Sequence, residues 1–575
     1  MKAKDTRVRQ SQLVSTFGVG AIFPSGDHSY LICGLDEWDE RGCAPIEEPR
    51  LARSLRVHSF RAPATGSRRG DVPVVRFPEF QYCPGCRRLG RFWEFDEETL
   101  QCSDCVRELA PSRFVACCQK GHLEEFPYFQ WVHRRVDGQA TWDASARHLM
   151  KLETKGVSSS LADIVVKCSC GVRPRDLEGA FGRSALAQVK SCGGKRPWLP
   201  SAEPEGCDEN LRALQRGSAN VWFSAVRSSI SIPPWSSPNA RFVTKHWDAF
   251  ELMTDEAIRD VVAGRAARDH ALDADGVMAV VNQRRGVAAG DPPTEAQLRE
   301  EEYRALIDGN DRGSHDSFQC VAADVSPSIL GLVAQVSKVT RLREVRALHG
   351  FSRVTPISAS GSPTETPRLS LQPRDWLPAV EVFGEGVFVR LHDEVLRQWE
   401  QTDRARQRQF YLQRSVEARS EETGTNDFEA PTSRFVAVHT LAHALLKELS
   451  LDAGYPIGAL RERVFAAPRQ SGILVFTAAS DAAGSLGGLA ALAGEQRFSD
   501  VLKAAFGRAG WCSNDPVCSE SGPSGSHGLN LAACHACLLL PETSCEHRNI
   551  FLDRVALLTG EEGDKEKGMA AGLQR

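Results

Sequence analysis

Leu529-Asn-Leu-Ala-Ala-Cys-His-Ala-Cys-Leu-Leu-Leu-Pro-Glu-Thr-Ser-Cys-Glu546 is the stretch on which the reading of this chain turns. Cys534-His-Ala-Cys537 is a C-x-x-C knuckle, with Cys518 before it, Cys545 after it and Cys512 as an alternate donor. Two thiolates on one tight turn, completed by a cysteine from either side, supply the four soft donors of a tetrahedral zinc site. His535, inside the knuckle, is expected to face outward. The knuckle closes a longer run, 434–558, in which a helical pattern over 435–449 and a strand leading into a glycine loop over 473–489 precede it. The segment 548–558 reads as a closing helix.

Within that run, His439 and His443 stand four apart in Val438-His-Thr-Leu-Ala-His-Ala-Leu-Leu446, so both rings share one helical face. Zinc peptidases use this spacing but need Glu directly after the first histidine, and Thr440 stands there. Three roles remain open for the pair: a buried hydrogen-bonded one, which is favoured, a contact to nucleic acid or a partner, and a metal site. The strand Ile473-Leu-Val-Phe-Thr-Ala478 ends in a loop holding Gly484, Gly487 and Gly488, followed by a helical pattern over 486–493. Backbone amides at such a junction can meet a phosphate, or the glycines can serve close helix–strand packing. The loop lacks the spacing and lysine of a P-loop, and that signature occurs nowhere in the chain. No nucleotide motor is encoded here, and the chain reads as a non-enzyme. A metal-dependent nuclease or other hydrolase built on His439, His443 and Asp481 is the weakest alternative.

Composition bounds the rest. A chain of 575 residues exceeds one core. Charged residues make up 25% and the formal net charge is −4, so any DNA-binding surface must be local. No secretion signal or membrane-length apolar run is visible, which predicts a soluble cytoplasmic protein with no membrane contact. Of the 18 cysteines, twelve sort into clusters with ligand spacing, which in a reducing compartment points to metal rather than disulfides; Cys33, Cys43, Cys117, Cys118, Cys320 and Cys512 are left over.

The strongest local signal lies near the N-terminus. Cys83-Pro-Gly-Cys86 and Cys102-Ser-Asp-Cys105 form two C-x-x-C pairs at zinc-ribbon spacing, a closed structural site, with Phe92-Trp-Glu-Phe95 as a ribbon strand between them. A second cluster, Cys168, Cys170, Cys192 and Cys207, has irregular spacing, so Cys118 or His122 can substitute. Two to three zinc ions are expected in all. Gly18 and Gly20 fit a tight turn before a strand, or a backbone approach to phosphate.

The remaining elements are coarser. Helical patterns are expected at 209–215, 242–269, 295–307 and 329–348, a linker at 355–373, a strand-rich stretch at 376–389, a charged helix at 393–413 and a disordered segment at 415–432. Arginines cluster in the loop 62–72 and its edge (Arg61, Arg68, Arg69) and on the charged helix (Arg397, Arg404, Arg406, Arg408). Either set can read phosphates, although solvated surfaces explain both. The expected fold is a mixed α/β multidomain protein with zinc-ribbon-like modules, a helical middle region and a C-terminal α/β zinc-binding domain. Its segments are 1–76, an N-terminal α/β part; 77–230, the zinc-binding region; 231–354, helical; 355–373, linker; and 374–575, the C-terminal domain.

The order of the C-terminal motifs, with Asp481 to Leu489 as the glycine motif and Leu529 to Glu546 as the cysteine motif, resembles the DUF1998 family. Arg9 to Ile22, Phe77-Pro-Glu-Phe-Gln-Tyr-Cys83, Gly121-His122 with Phe126-Pro127, and Cys192-Gly-Gly-Lys-Arg-Pro-Trp198 extend the likeness. Over nearly its whole length the chain is similar to the B subunits of the DISARM anti-phage system. The resemblance implies a non-catalytic accessory subunit working beside an SF2-type helicase subunit on invading DNA, with a defence methyltransferase as a further candidate partner. A pure scaffold without DNA contact is the other reading it leaves.

Overall fold

The computed structural model describes residues 8–65, 71–96, 99–134, 145–156, 160–266, 272–288, 291–311, 316–356, 366–423, 428–477, 487–520, 522–525, 528–558 and 569. The chain gathers into two compact units, each assembled from separate pieces. One holds residues 1–46, 57–227 and 346–380; the other holds 47–56, 228–345 and 381–575.

The first unit is mostly antiparallel sheet. A three-stranded sheet joins Ile22–Ser25, His28–Ile32 and Val74–Arg76. A six-stranded sheet runs in the order Arg175–Asp176, Ile164–Cys168, Met150–Thr154, Arg88–Arg91, Phe80–Tyr82, Ala110–Pro111. In a third sheet Phe114–Cys117 lies between Leu123–Glu125 and Arg212–Gln215. The last of these is a strand where a helix was expected. Phe114, Val115, Ala116 and Cys117 are all withdrawn from solvent, so both backbone edges of their strand need partners, and Arg212–Gln215 supplies one. Between the ribbon knuckles, Phe92–Glu94 is a single 3-10 turn rather than a strand. Gly20 sits at φ +79°, and a Cβ there would come within 2.7 Å of Phe351 Cζ, which favours the tight-turn role over phosphate binding.

The second unit is built on its shares of two long strands, Val333–Ser352 and Trp376–Leu391. Gly472–Thr477 pairs antiparallel with the second (Gly386↔Phe476 to Arg390↔Gly472), and Leu460–Phe465 pairs with Gly472–Thr477. Val333–Ser352 overturns an expected helix. Val333, Val336, Val339, Leu342, Val345 and Leu348 recur every third residue, which imitates a helical stripe. The strand is covered on both faces, so its burial does not alternate, and its β-branched residues suit the pleat.

Helices complete this unit. Pro238–Lys245, Asp255–Ala266 and Ala274–Ala288 surround a small core of Trp235, Val243, Trp247, Phe250 and Val281. Glu295–Asp308, started by a Thr294–Gln297 capping box, brings Tyr303 and Leu306 against Phe388 and Phe465 of the sheet. The charged segment is two helices, Asp393–Glu400 and Asp403–Thr423, so helix replaces much of the segment expected to be disordered.

Ser433–Ala453 is the central helix. The Thr432 hydroxyl accepts from Phe435 N at 3.1 Å to start it, and Gly454, at φ +71°, stops it. It is buried nearly all round, packed on Glu495–Ala509 and on the two strands Leu460–Phe465 and Gly472–Thr477. After it, only Ala490–Ala493 and Arg554–Ala556 form short 3-10 turns where helices were expected. No helix among the described residues is long and apolar enough to cross a membrane.

Candidate metal centres

None of the cysteines is in a disulfide. Among the described residues, four groups of cysteine and histidine each bring four donor atoms within 4.8 Å of one another. The ribbon behaves as its spacing predicts. Cys83 and Cys102 start two matching turns: Arg87 N donates to Cys83 O and Cys83 N to Arg88 O, and Val106 N and Cys102 N repeat this with Cys102 O and Arg107 O. Arg87 and Val106, at φ +65° and +53°, reverse the chain at equivalent places. The thiols converge, with Cys83 and Cys105 Sγ 3.2 Å apart and Cys86 and Cys102 Sγ 3.5 Å apart. Tetrahedral Zn–S bonds of about 2.3 Å put sulfurs roughly 3.8 Å apart, so a small expansion seats the ion. A Cβ on Gly85 would stand 3.0 Å from Cys105 Sγ, so glycine keeps that space open. Burial raises the Cys83 thiol, but hydrogen bonds from the Cys86 and Gly85 amides and from Cys105 outweigh it and bring it to about 7.

The second predicted cluster divides in two. Cys192 and Cys207 join Cys118 and His122, whose turn links the strands Phe114–Cys117 and Leu123–Glu125. His122 Nδ1 lies 3.3 Å from Cys118 Sγ and 3.5 Å from Cys192 Sγ, while its Nε2 faces Glu205 Oε1 at 3.3 Å. A carboxylate on the far nitrogen orients a ligating imidazole. Cys168 and Cys170 instead meet His133 and His148. His133 Nδ1 donates to Phe129 O at 2.9 Å, leaving Nε2 for the centre, 3.3 Å from Cys170 Sγ. His148 Nδ1 lies 3.4 Å from Cys168 Sγ. Neither His133 nor His148 lies at a recognisable spacing from a cysteine, so nothing local marks them as donors. The available signal was the irregular spacing of Cys168, Cys170, Cys192 and Cys207, which fits no single finger.

The C-terminal knuckle takes Cys512 as its fourth donor. Cys512 and Cys534 Sγ are 3.5 Å apart, Cys518 and Cys537 3.8 Å, and Cys534 and Cys537 3.7 Å. Cys545, the expected fourth ligand, lies elsewhere, beside His439, His443 and Glu462. Cys33, Cys43, Cys117 and Cys320 belong to no such group among the described residues and are buried. Burial pushes the thiols of Cys117 and Cys320 up to about 12, which keeps them protonated and inert.

Residues 441–538 match the MrfA Zn-binding domain, and they include all four cysteines of this last centre. Residues 9–223 match DUF8724, a domain of unknown function, across the other three groups. The C-terminal likeness therefore falls on the MrfA Zn-binding domain and not on DUF1998. The chain is also 29% identical, over 561 residues, to the DISARM protein DrmB of Bacillus paralicheniformis, spanning 93% of this chain and 97% of that one. It is similar to a defence protein end to end. The matched domain and the Cys/His groups fit several zinc ions.

The proposed nucleic-acid contacts fare differently. His439 and His443 are fully enclosed, so neither can touch DNA or a partner. Leu489 N and Ala490 N, just past Gly487 and Gly488, donate at 3.2 and 3.3 Å to the buried carboxylate of Glu385. The anion at this turn is thus a side chain of the protein itself. Gly484 and Asp481 lie outside the described residues, as do Arg68 and Arg69. Arg61 stacks on Trp376, with its guanidinium carbon 5.7 Å from the ring centre, and Arg408 forks onto the buried Asp553. Arg397 and Arg406 are exposed on their helices and, among the described residues, pair with carboxylates three or four residues away; Arg404 lies between them in sequence.

Proposed function

We propose that this chain is a non-catalytic, zinc-stapled B-type subunit of a DISARM-like anti-phage complex in the cytoplasm. In this reading it partners an SF2-type helicase subunit and helps hold foreign DNA through its phosphates. A defence methyltransferase is a further partner in the same reading. The observation that carries it is the collinear similarity to DISARM protein DrmB over nearly the full length of both chains. The absence of a phosphate-binding lysine loop from the sequence supports assigning nucleotide turnover to a partner. Burial of His439 and His443 supports a structural rather than hydrolytic role for that pair.

The exposed arginines Arg397 and Arg406 are the favoured phosphate readers. Both have an exposed carboxylate partner within one helical turn, Glu394 for Arg397 and Asp403 for Arg406, and such pairs contribute little, so a phosphate can displace them. Arg408 and Arg61 are engaged internally, which lends weight to a pure scaffold as the second reading. Co-expression with the helicase subunit of a DISARM locus separates the two. The DNA-holding reading expects a co-purifying complex whose DNA affinity exceeds that of the helicase alone and falls with salt. A complex without that gain leaves the scaffold. No complex at all, with phage restriction intact when this chain is deleted, overturns both.

A further inference from the structure

We propose that His439, His443, Glu462 and Cys545 hold a divalent first-row transition-metal ion, zinc foremost, in a closed structural site distinct from the nearby four-cysteine centre. Two of the four residues, His439 and Cys545, lie outside the stretch that matches the MrfA Zn-binding domain.

The case begins with convergence. The central helix carries both histidines on one face, with ring centres 4.6 Å apart. Leu460–Phe465, packed against that helix, points Glu462 at them, and the terminal loop brings Cys545. His439 Nε2 lies 3.0 Å from Glu462 Oε1 and 3.3 Å from Cys545 Sγ, and His443 Nε2 lies 3.3 Å from Glu462 Oε1. All four side chains are closed to solvent.

The orientation of the donors is the second argument. His443 Nδ1 donates to Leu538 O at 2.9 Å, which fixes the tautomer and turns the Nε2 lone pair to the centre. Among the described residues neither this Nε2 nor Glu462 Oε2 has a hydrogen-bond partner. Without a cation these buried acceptors stay unsatisfied; an ion between them meets both. Cys545 Sγ accepts from the backbone N–H groups of His547 and Asn549, both at 3.3 Å. These two N–H donors fix the sulfur beside the histidines.

Charge closes the account. A divalent cation with one carboxylate and one thiolate is neutral, and a neutral complex can be buried without a counterion. On loading, the Cys545 thiol gives its proton to solvent and its sulfur bonds the metal. Three protein segments fill the tetrahedron and leave no open position, the arrangement of a structural ion. The ion fastens the terminal loop to the central helix.

The test is metal content of the full-length protein, read for all first-row metals by mass spectrometry. His443→Asn and Cys545→Ala should each bind one equivalent fewer than wild type. Cys537→Ser should also lose one equivalent, and Cys537→Ser combined with Cys545→Ala should lose two. Folded His443→Asn and Cys545→Ala variants that keep the wild-type metal count overturn the site. If those variants do not fold, zinc-edge anomalous diffraction from wild-type crystals decides. A peak between His443 Nε2 and Cys545 Sγ upholds the site, and no peak there beside a strong one at the four cysteines overturns it.

Discussion

Arg463 Nη1 donates to Glu302 Oε2 at 2.7 Å, and neither side chain reaches solvent. The same guanidinium meets Glu344 Oε1 at 2.8 Å and approaches Glu546 Oε1 at 3.4 Å. Arg463 follows Glu462 and Glu546 follows Cys545, so the ion cluster and the enclosed His/Glu/Cys group share their backbone. Burial opposes the charge of Arg463, and the three carboxylates overcome that and raise its pKa. Arg463→Met strands buried carboxylates and should cost about 3–5 kcal/mol. Arg463→Lys should also destabilise, because an ammonium cannot fork to partners in several directions. Denaturant unfolding of the zinc-loaded protein reads both.

Zinc bookkeeping tests how the irregular cysteines divide. Cys170→Ser and Cys207→Ser should each lose one zinc, and the double variant should lose two, since the residues belong to different groups. A double variant that loses only one equivalent would return them to a single site. Each loss should destabilise the first unit by several kcal/mol, because thiolate–zinc binding is coupled to folding.

A pH dependence follows from Glu125. Burial first, with the Glu79 carboxylate near, pushes its carboxyl up to about 8 against the hydrogen bond from Glu79 N. Between the unfolded value of about 4.3 and that value, the folded state holds the proton more tightly than the unfolded state. This contribution to stability is therefore complete at low pH and is lost as pH rises toward 8. From pH 6.5 to 8 the wild type should lose about 2 kcal/mol relative to Glu125→Gln, which has no proton to release. Parallel pH trends in the two proteins would contradict the assignment.

The arginines of the charged helices should separate by role. Arg397→Ala with Arg406→Ala should lower the salt slope of DNA binding by the complex by roughly one unit per lost contact, with stability little changed. Arg408→Ala should leave the salt slope alone and destabilise the fold, because it leaves Asp553 buried without its partner. Salt titrations of binding, with thermal melts of the same samples, check both halves.

Sequence alone determined what is local. The ribbon spacing of Cys83, Cys86, Cys102 and Cys105, the helix over His439 and His443, and the strand over 473–477 are written in neighbouring residues, where turn geometry and helical period leave little freedom. Only the tertiary structure decided which donors meet. Cys545 was expected with Cys534 and Cys537 but lies with two histidines and Glu462, and Cys168 lies with His133 and His148 rather than Cys207. A metal site selects donors by distance in space, and once the segments come from different strands and loops no spacing records it. Val333–Ser352 makes the same point for the fold, since an apolar residue at every third position fits a helix equally well until sheet partners cover both faces.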